Sequence, residues 1–234
     1  MSRGFWAVVP AAGIGERMQS DRPKQYLQLE GKLVIEHTLQ RLASHPEIKG
    51  IVIAVDQEDE WWPTVSIVIS CPIYVVHGGK QRSHSVLNAL GKLSTLVADD
   101  PWVLVHDAAR PCLRQKDIDK LLTVLSKHDV GGLLGIPIND TVKRTSDDDV
   151  VIGTIERRNL WRASTPQMFR LALLKSALHT SRKQNITVTD EASAIEFVGL
   201  EPVMVEGHTD NIKITVSGDL ALAQLFMQQQ RGEG

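Results

Sequence analysis

The sequence predicts an α/β protein: a mostly parallel, twisted sheet with helices on both faces. Two observations predict this fold. Short β-branched runs recur along the chain, and between them apolar residues recur at helical spacing. A chain of 234 residues has room for one good-sized core but not for two full catalytic domains. We therefore expect a single domain over residues 1–234.

The elements follow one another in a regular order. We expect strands at Trp6 to Val9, Ile51 to Val55, Ile73 to Val76, Trp102 to Val105, Leu133 to Ile138 and Pro202 to Val205. Helical spacing between them is carried by two sets of residues: Ile35, Leu39, Leu42 and Ala43, then Ile118, Leu121, Leu122 and Leu125. A last helix is expected to run from a Ser217 cap through Gln229, with Asp219 in its first turn.

One segment, residues 139–158, interrupts the alternation. It reads NDTVKRTSDDDVVIGTIERR, which is two β-type runs around a Ser-Asp-Asp-Asp turn with too few apolar residues for a core hairpin. We expect it to project as a β-hairpin arm. Its apolar residues then need a partner, and the same arm of a second copy is the simplest one, so we predict a homodimer. A flexible surface loop is the alternative.

Charge and composition exclude several classes of function. The net charge is -2 and no block rich in Lys and Arg occurs, so we expect no nucleic-acid partner. The longest apolar stretches, such as Phe5 to Ala12, are far shorter than a bilayer span, and no secretory leader precedes the first strand. We therefore expect a soluble, cytoplasmic protein without membrane contact. Cys71 and Cys112 form no CxxC pair, so we expect two ordinary buried thiols and neither disulfides nor structural zinc.

The end of the first strand is typical of a phosphate-binding loop. The strand leads into Pro10-Ala11-Ala12-Gly13-Ile14-Gly15, at the edge of an open α/β sheet where ligands collect. Small residues let backbone N–H groups approach a ligand, and the start of a following helix favours anions. The dinucleotide fingerprint lacks its third glycine and no Gly-Lys-Ser/Thr is present, which disfavours a dehydrogenase and a Walker loop. Arg17 and Lys24 follow as cations instead.

These motifs resemble a known family. PAAGIGERM and RPKQYL resemble the joined G-x-G-x-R-M and P-K motifs of sugar-nucleotide pyrophosphorylases and cytidylyltransferases, and most closely those of the 2-C-methyl-D-erythritol 4-phosphate cytidylyltransferase family. The resemblance implies a Rossmann-like nucleotidyltransferase domain that uses CTP and Mg²⁺. It also implies that Arg17 and Lys24 are the catalytic cations on the triphosphate, while the loop binds the nucleotide through Pro10, Ala11, Ala12, Gly13 and Gly15.

Two further motifs carry the same resemblance. GGKQRSHSV matches G-G-x-x-R-x-x-S-V, which implies that Gly79 and Ser85 contact the cytosine. Position 80 is lysine where some family members carry an acidic residue, so a base contact from Lys80 is left open. VHDAARP matches a family motif that implies a place beside the ribose and the metal for Asp107, with Ala108 next to it. An Asp at the carboxyl end of a strand suits either ligand, although it can instead cap a turn and pair with Arg110.

The resemblance also implies the residues around the second substrate. They are Thr141, Arg157, Thr165, Thr189 and Lys213, with Arg157 reaching across from the hairpin of the partner. A second arginine, Arg158, leaves that assignment open by one position. Asp210 is a further candidate for the metal, or else a turn-capping residue. The run Thr189-Asp190-Glu191-Ala192 also suits a capping box at the start of a helix.

The expected reaction is transfer of a cytidylyl group from CTP to 2-C-methyl-D-erythritol 4-phosphate. Its products are 4-diphosphocytidyl-2-C-methyl-D-erythritol and pyrophosphate, a step of the non-mevalonate isoprenoid precursor pathway. A phosphate monoester has a second pKa of about 6, so it attacks as a dianion without a protein base. The alternatives are a cytidylyltransferase for another polyol phosphate, such as ribitol 5-phosphate, and a noncatalytic nucleotide sensor.

Overall fold

The computed structural model describes residues 4–13 and 22–233. Within these ranges the strands are β1 (Phe5–Pro10), β2 (Gln28–Leu29), β3 (Lys32–Leu33), β4 (Ile48–Val55), β5 (Ile73–His77), β6 (Trp102–Val105), β7 (Gly131–Pro137), β8 (Val142–Thr145), β9 (Val151–Ile155), β10 (Trp161–Arg170) and β11 (Val203–Glu206). The helices are α1 (Val34–Ala43), α2 (Arg82–Leu96), α3 (Gln115–Leu125), α4 (Leu171–Lys183), α5 (Glu191–Phe197) and α6 (Gly218–Gly232).

A seven-stranded sheet forms the centre, in the order β11-β7-β10-β6-β1-β4-β5. Every neighbouring pair is parallel except the two pairs made by β10, which runs antiparallel to β6 and to β7. The predicted mostly parallel sheet is therefore confirmed. All six expected strands are present: β6 has the expected ends, and the other five are shifted by one to three residues at one or both ends.

The antiparallel strand β10 was not predicted from the sequence. Its sequence, WRASTPQMFR, mixes charged, hydroxyl and amide side chains and contains Pro166, so it lacks the continuous apolar run of a central strand. The register shifts between Ala163 and Gln167, which lets the chain pass Pro166 while pairing on both sides of it. Met168 and Phe169 nevertheless enter the core on opposite faces of the sheet.

Helices cover both faces of the sheet, as predicted. Alternate residues of β1 show the two sides: Ala7 and Val9 face the core that packs against α1 and α3, whereas Val8 faces the one formed with α2, α4 and α5. A third, smaller apolar cluster seats α6 against α1 and the loop after β6. These layers leave the carboxyl ends of the parallel strands open to a ligand.

Residues 139–158 do form the predicted hairpin. β8 and β9 pair antiparallel in a sheet of their own, and the Ser146 N–H and Val150 carbonyl close the turn between them. Val150, Val151 and Ile152 are 61%, 57% and 62% exposed. The ordered pairing argues against a flexible loop, and the partner for this apolar tip stays a prediction.

The two cysteines differ in burial. Cys112 is buried as expected, but Cys71 is only half-buried, because it lies in the irregular segment before β5. Burial raises the pKa of the Cys112 thiol to about 12, so it stays a neutral, unreactive thiol.

Within the described residues, no helix combines the length and the apolar character needed to cross a bilayer.

Candidate active site

A cleft of about 400 Å³ lies at the carboxyl ends of β1, β5 and β6. Three loops surround it: residues 10–13 after β1, 79–82 after β5 and 107–109 after β6. Lys24, Gln25, Ser85, Lys213 and Thr215 complete the described part of its wall. Parallel strands bring segments that are far apart in sequence to this one edge, where such folds bind their ligands.

A buried glutamine fixes the backbone of the first loop. The side-chain amide of Gln25, which is 3% exposed, donates to the carbonyls of Ala11 at 2.7 Å and Gly13 at 3.1 Å. Because the C=O and N–H of a trans peptide point in opposite directions, the Ala12 N–H is turned away from Gln25. We call these two hydrogen bonds the Gln25 clamp; the neighbouring Lys24 lines the same cleft. Gly15, Arg17 and the predicted helix start lie outside the described residues.

The second loop approaches the first closely. The Gly78 N–H donates to the Val55 carbonyl at 2.7 Å, and a Cβ at Gly78 would collide with the methyl group of Ala12. The Gly79 N–H donates to Ser85 Oγ at 3.0 Å, in the first turn of α2. Gly79 and Ser85 therefore form one side of the cleft, and their contact with a base stays a prediction. Lys80 also lines the cleft.

Asp107 forms the electrostatic centre of the cleft. Its Oδ1 lies 3.0 Å from Arg82 Nε, and its Oδ2 lies 3.2 Å from Arg110 Nε and 3.0 Å from Lys213 Nζ. Burial of this 6% exposed residue opposes ionisation, but the cations Arg82, Lys213 and Arg110 outweigh it and hold the pKa of the carboxyl well below its usual range. The pairing with Arg110, given above as the structural alternative, is present, and so are ion pairs with Arg82 and Lys213, which line the cleft together with Asp107.

Arg82 is anchored by a second carboxylate. Glu191, at the start of α5, accepts from Arg82 Nη1 at 2.6 Å and from Nη2 at 3.1 Å. The Glu191 carboxyl is 1% exposed, and its burial raises its pKa even though the Arg82 charge favours ionisation. Burial opposes the charge of Arg82 as well, but Glu191 and Asp107 raise the pKa of the guanidinium. Arg82 is therefore a permanent cation held between two acids.

Thr165 supports the Asp107 loop from β10. Its Oγ1 accepts from the Asp107 N–H at 3.1 Å and lies 3.0 Å from His106 Nδ1, while His106 Nε2 lies 3.1 Å from the Arg110 carbonyl. Because that carbonyl only accepts, His106 donates through Nε2, and the Thr165 hydroxyl donates to Nδ1. Burial lowers the pKa of His106 to about 4, so the ring is neutral. Thr165 is 4% exposed, and its single donor is used here rather than in the cleft.

Asp107 has few acceptor positions left for a metal ion such as Mg²⁺. An ionised carboxylate has about four lone-pair sites, and three on Asp107 are occupied by Arg82, Arg110 and Lys213. One site is left, which agrees with the one or two carboxylates that Mg²⁺ takes when phosphates complete its shell. Among the described residues no group of three or more His, Cys, Asp or Glu side chains forms a metal cage.

Asp210, the second predicted metal residue, is not part of the described cleft wall. Its Oδ2 accepts from Arg114 Nε at 2.7 Å and from Gln230 Nε2 at 2.8 Å, while its buried Oδ1 has no hydrogen-bond partner. Asp210 therefore has one free acceptor but is already paired with a cation. Its role toward a metal stays a prediction.

The other predicted substrate residues lie outside the cleft of this chain. Thr141 and Arg157 are exposed on the hairpin arm, as is Arg158, which lies 3.5 Å from Glu156 Oε2. Thr189 is exposed just before α5, where its neighbour Asp190 forms the expected capping box with Ser193. Lys213 and Thr165 alone of this set contact the Asp107 cluster in the described chain.

The sequence did not reveal three residues that support the site: Gln25, Arg82 and Glu191. Arg82 and Glu191 stood within motifs already singled out, GGKQRSHSV and TVTDEASA, but their pairing joins residues 109 positions apart and only the fold reveals it. Gln25 directly follows Lys24, but nothing in the local sequence distinguishes it from an ordinary surface glutamine.

Comparison with known proteins agrees with this geometry. A family model described as 2-C-methyl-D-erythritol 4-phosphate cytidylyltransferase matches residues 5–229. The enzyme of that name from Hahella chejuensis is 52% identical over 225 residues, which are 96% of this chain and 93% of the relative. The solved structure from Francisella tularensis is 36% identical, with a TM-score of 0.81 over 95% of this chain and 99% of its own.

A crystal structure of 4-diphosphocytidyl-2C-methyl-D-erythritol synthase is 32% identical, with a TM-score of 0.84 over 97% of this chain and 100% of its own. Both the sequence and the fold therefore agree over nearly the full length of these proteins. On that likeness, and with the three loops of the cleft in place, the chain belongs to the 2-C-methyl-D-erythritol 4-phosphate cytidylyltransferase family.

Proposed function

We propose that this chain joins CTP to 2-C-methyl-D-erythritol 4-phosphate in the cleft between its three loops, releasing pyrophosphate. The observation that carries the proposal is the convergence of Lys213 and Arg82 on Asp107 beside the loop that ends β1. A nucleoside triphosphate needs small residues for close backbone approach and cations for its charge. Membership of the family supports the choice of substrates.

The chemistry requires positioning and charge more than proton transfer. The phosphate of the polyol is mostly dianionic at neutral pH, so its oxygen attacks the α-phosphorus in line while pyrophosphate leaves. Negative charge spreads over the equatorial oxygens during this step, and fixed cations stabilise it. We assign Arg17 and Lys24 to the triphosphate, and Lys213 to the meeting point of the two substrates.

The base and sugar are assigned to the other two loops. Gly79 and Ser85 line the side of the cleft proposed for the cytosine, and Asp107 with Ala108 lines the side proposed for the ribose. Mg²⁺, when bound, neutralises phosphate charge and orients the leaving group. Asp107 would hold it through its remaining lone-pair site, with Asp210 as the further candidate.

We propose that the site is completed by a second copy of the chain. Arg157 is exposed on the hairpin arm and lies outside the cleft of its own chain, which agrees with a role in the site of the partner. The exposed tip at Val151 and Ile152 provides an apolar surface for such a contact. Separate Arg157→Ala and Arg158→Ala variants identify the ligand, since its loss raises the KM for the polyol phosphate.

The decisive experiment measures pyrophosphate release with CTP and Mg²⁺, comparing 2-C-methyl-D-erythritol 4-phosphate with ribitol 5-phosphate. We expect a higher kcat/KM with the methylerythritol substrate. A higher value with ribitol 5-phosphate would identify the alternative polyol, and release with neither would favour the nucleotide sensor. Both substrates are small polar molecules of the aqueous phase, which agrees with the expected cytoplasmic location.

A further inference from the structure

The guanidinium of Arg82 is held at both ends. Its two terminal nitrogens contact the two oxygens of Glu191, and its Nε contacts Asp107 Oδ1 at 3.0 Å. A planar guanidinium with all three contacts has one orientation, because rotation about any side-chain bond breaks at least one of them. The orientation of Arg82 toward the cleft is therefore set from behind by Glu191.

Glu191 is itself fixed by β10. The Gln167 side chain is 1% exposed; its Oε1 accepts from the Ala192 N–H at 2.8 Å, and its Nε2 donates to Asp190 Oδ2 at 2.9 Å. These bonds hold the residues on either side of Glu191. The carboxylate consequently has little freedom to follow Arg82 if that side chain moves.

The charges around Asp107 explain why Arg82 has to be held in place. Arg82, Arg110 and Lys213 converge on Asp107, and the two carboxylates leave this cluster with one net positive charge. Without Glu191, Arg82 would be free to turn toward the anionic nucleotide and leave Asp107. An arginine in that position would stabilise the bound triphosphate as much as the transition state. It would therefore strengthen ground-state binding without accelerating the transfer step.

We infer that Glu191 is a positioning residue, which acts through Arg82 to keep Asp107 oriented for the transfer reaction. The inference rests on the proposed function for its kinetic consequence. Glu191 is buried and does not line the described cleft, so its effect passes through Arg82 and not through substrate contact. This distinguishes it from a residue that only stabilises the fold, because its contribution depends on the arginine.

The test is a double-mutant cycle in pyrophosphate release, using Glu191→Gln, Arg82→Lys and the combined variant. Glu191→Gln keeps the shape but removes the charge and one acceptor. Glu196→Gln, on the exposed side of the same helix, is the matched control. Thermal unfolding of each variant identifies those that are folded at the assay temperature.

We expect Glu191→Gln to lower kcat/KM for CTP about 10- to 100-fold, the scale found when a group that orients a metal-binding residue is lost. The combined variant should be within about threefold of Arg82→Lys alone, because coupled residues are not additive. Glu196→Gln should match the parent. A folded Glu191→Gln within threefold of the parent, or losses that multiply in the combined variant, would overturn the inference.

A measurement without substrate makes the inference independent of folding defects and of the proposed reaction. Hydrogen exchange of the Arg82 Nε–H, followed by NMR in the parent protein, should be slow because that proton is donated to Asp107 Oδ1 by a guanidinium whose terminal nitrogens Glu191 holds in place. Exchange as fast as in free arginine would contradict the orientation. If Glu191→Gln does not fold, Glu191→Asp takes its place in the cycle. A parent protein that releases no pyrophosphate would contradict the proposed function and leave the exchange result standing.

Discussion

Lys213 Nζ lies 3.0 Å from Asp107 Oδ2. The two residues were expected on different substrates, Asp107 beside the ribose and metal and Lys213 beside the polyol phosphate. Their contact brings the positions proposed for the two substrates together at one carboxylate. Changes on either side should therefore affect both substrates.

Replacing Lys213 by Met should lower kcat/KM about 10²- to 10³-fold, as the loss of one preorganised charge-stabilising donor does. The KM for the polyol phosphate should rise, because the lysine is its proposed cation. Steady-state pyrophosphate release measures both effects. Lys92→Met, at an exposed position of α2, is the control. Equal activity of the two variants would remove Lys213 from the site.

Arg17→Ala should cost roughly 10²- to 10³-fold in turnover, because its proposed charge acts while pyrophosphate leaves. The effect should be on kcat more than on the KM for the polyol phosphate. Single-turnover measurements with saturating CTP separate these quantities. A variant within twofold of the parent contradicts the assignment.

Gln25→Met should destabilise the protein and weaken CTP binding together. The substitution removes the donor from both carbonyls, and the buried Ala11 carbonyl is left unpaired, which costs about 1 to 3 kcal/mol. Gly13 is exposed, so water can replace its lost donor. Chemical denaturation measures the change in the free energy of unfolding, and the KM for CTP reports the loop. Gln184→Met, exposed at the end of α4, should change neither. Unchanged values in Gln25→Met would show that the clamp is dispensable.

Ile152→Asp should dissociate the proposed dimer by placing a charge in its apolar contact. Sedimentation at micromolar concentration should show a dimer for the parent and a monomer for the variant. The KM for the polyol phosphate should rise as well, because Arg157 of the partner would be lost from the site. Val68→Asp is a matched control, since Val68 is 93% exposed away from the arm. A monomeric parent would refute the dimer.

Acid should destabilise the protein partly through His37. Burial lowers the pKa of this histidine, whose Nε2 lies 2.7 Å from the Leu29 carbonyl. The neutral ring is favoured in the folded state, so its contribution is complete above about pH 6.5 and is lost as the pH falls toward the lower folded pKa.

The free energy of unfolding, compared at pH 7.5 and pH 5.5, should therefore fall less in His37→Gln than in the parent. His179→Asn, which changes an exposed ring on α4, should keep the parental dependence. An identical fall in parent and His37→Gln would show that His37 titrates alike in the folded and unfolded chains.

Periodicity sufficed to predict the parallel strands and the ligand edge of the sheet. β10 escaped because its pattern is neither alternating nor apolar, and its buried polar residues find partners only in the folded chain. Gln167 shows why: its two hydrogen bonds reach Asp190 and Ala192 on α5. Local sequence carries no trace of such distant pairings.

The site was predictable where a motif sits directly after a strand. Asp107 and Gly79 were found this way, because the end of a parallel strand fixes their place. The roles of Thr165 and Asp210 depend instead on which partner each oxygen finds. In the structure Thr165 donates to His106 and Asp210 pairs with Arg114, and neither contact follows from spacing.

The direction of β10 has a mechanical consequence. β7 leaves the sheet at its ligand edge, the chain makes the arm, and β10 re-enters at the same edge, with Trp161 opposite Pro137. The five residues from Trp161 to Thr165 therefore connect the arm directly to the hydroxyl that supports Asp107. In a dimer joined through the arms, a movement of one protomer would therefore reach the Asp107 loop of the other.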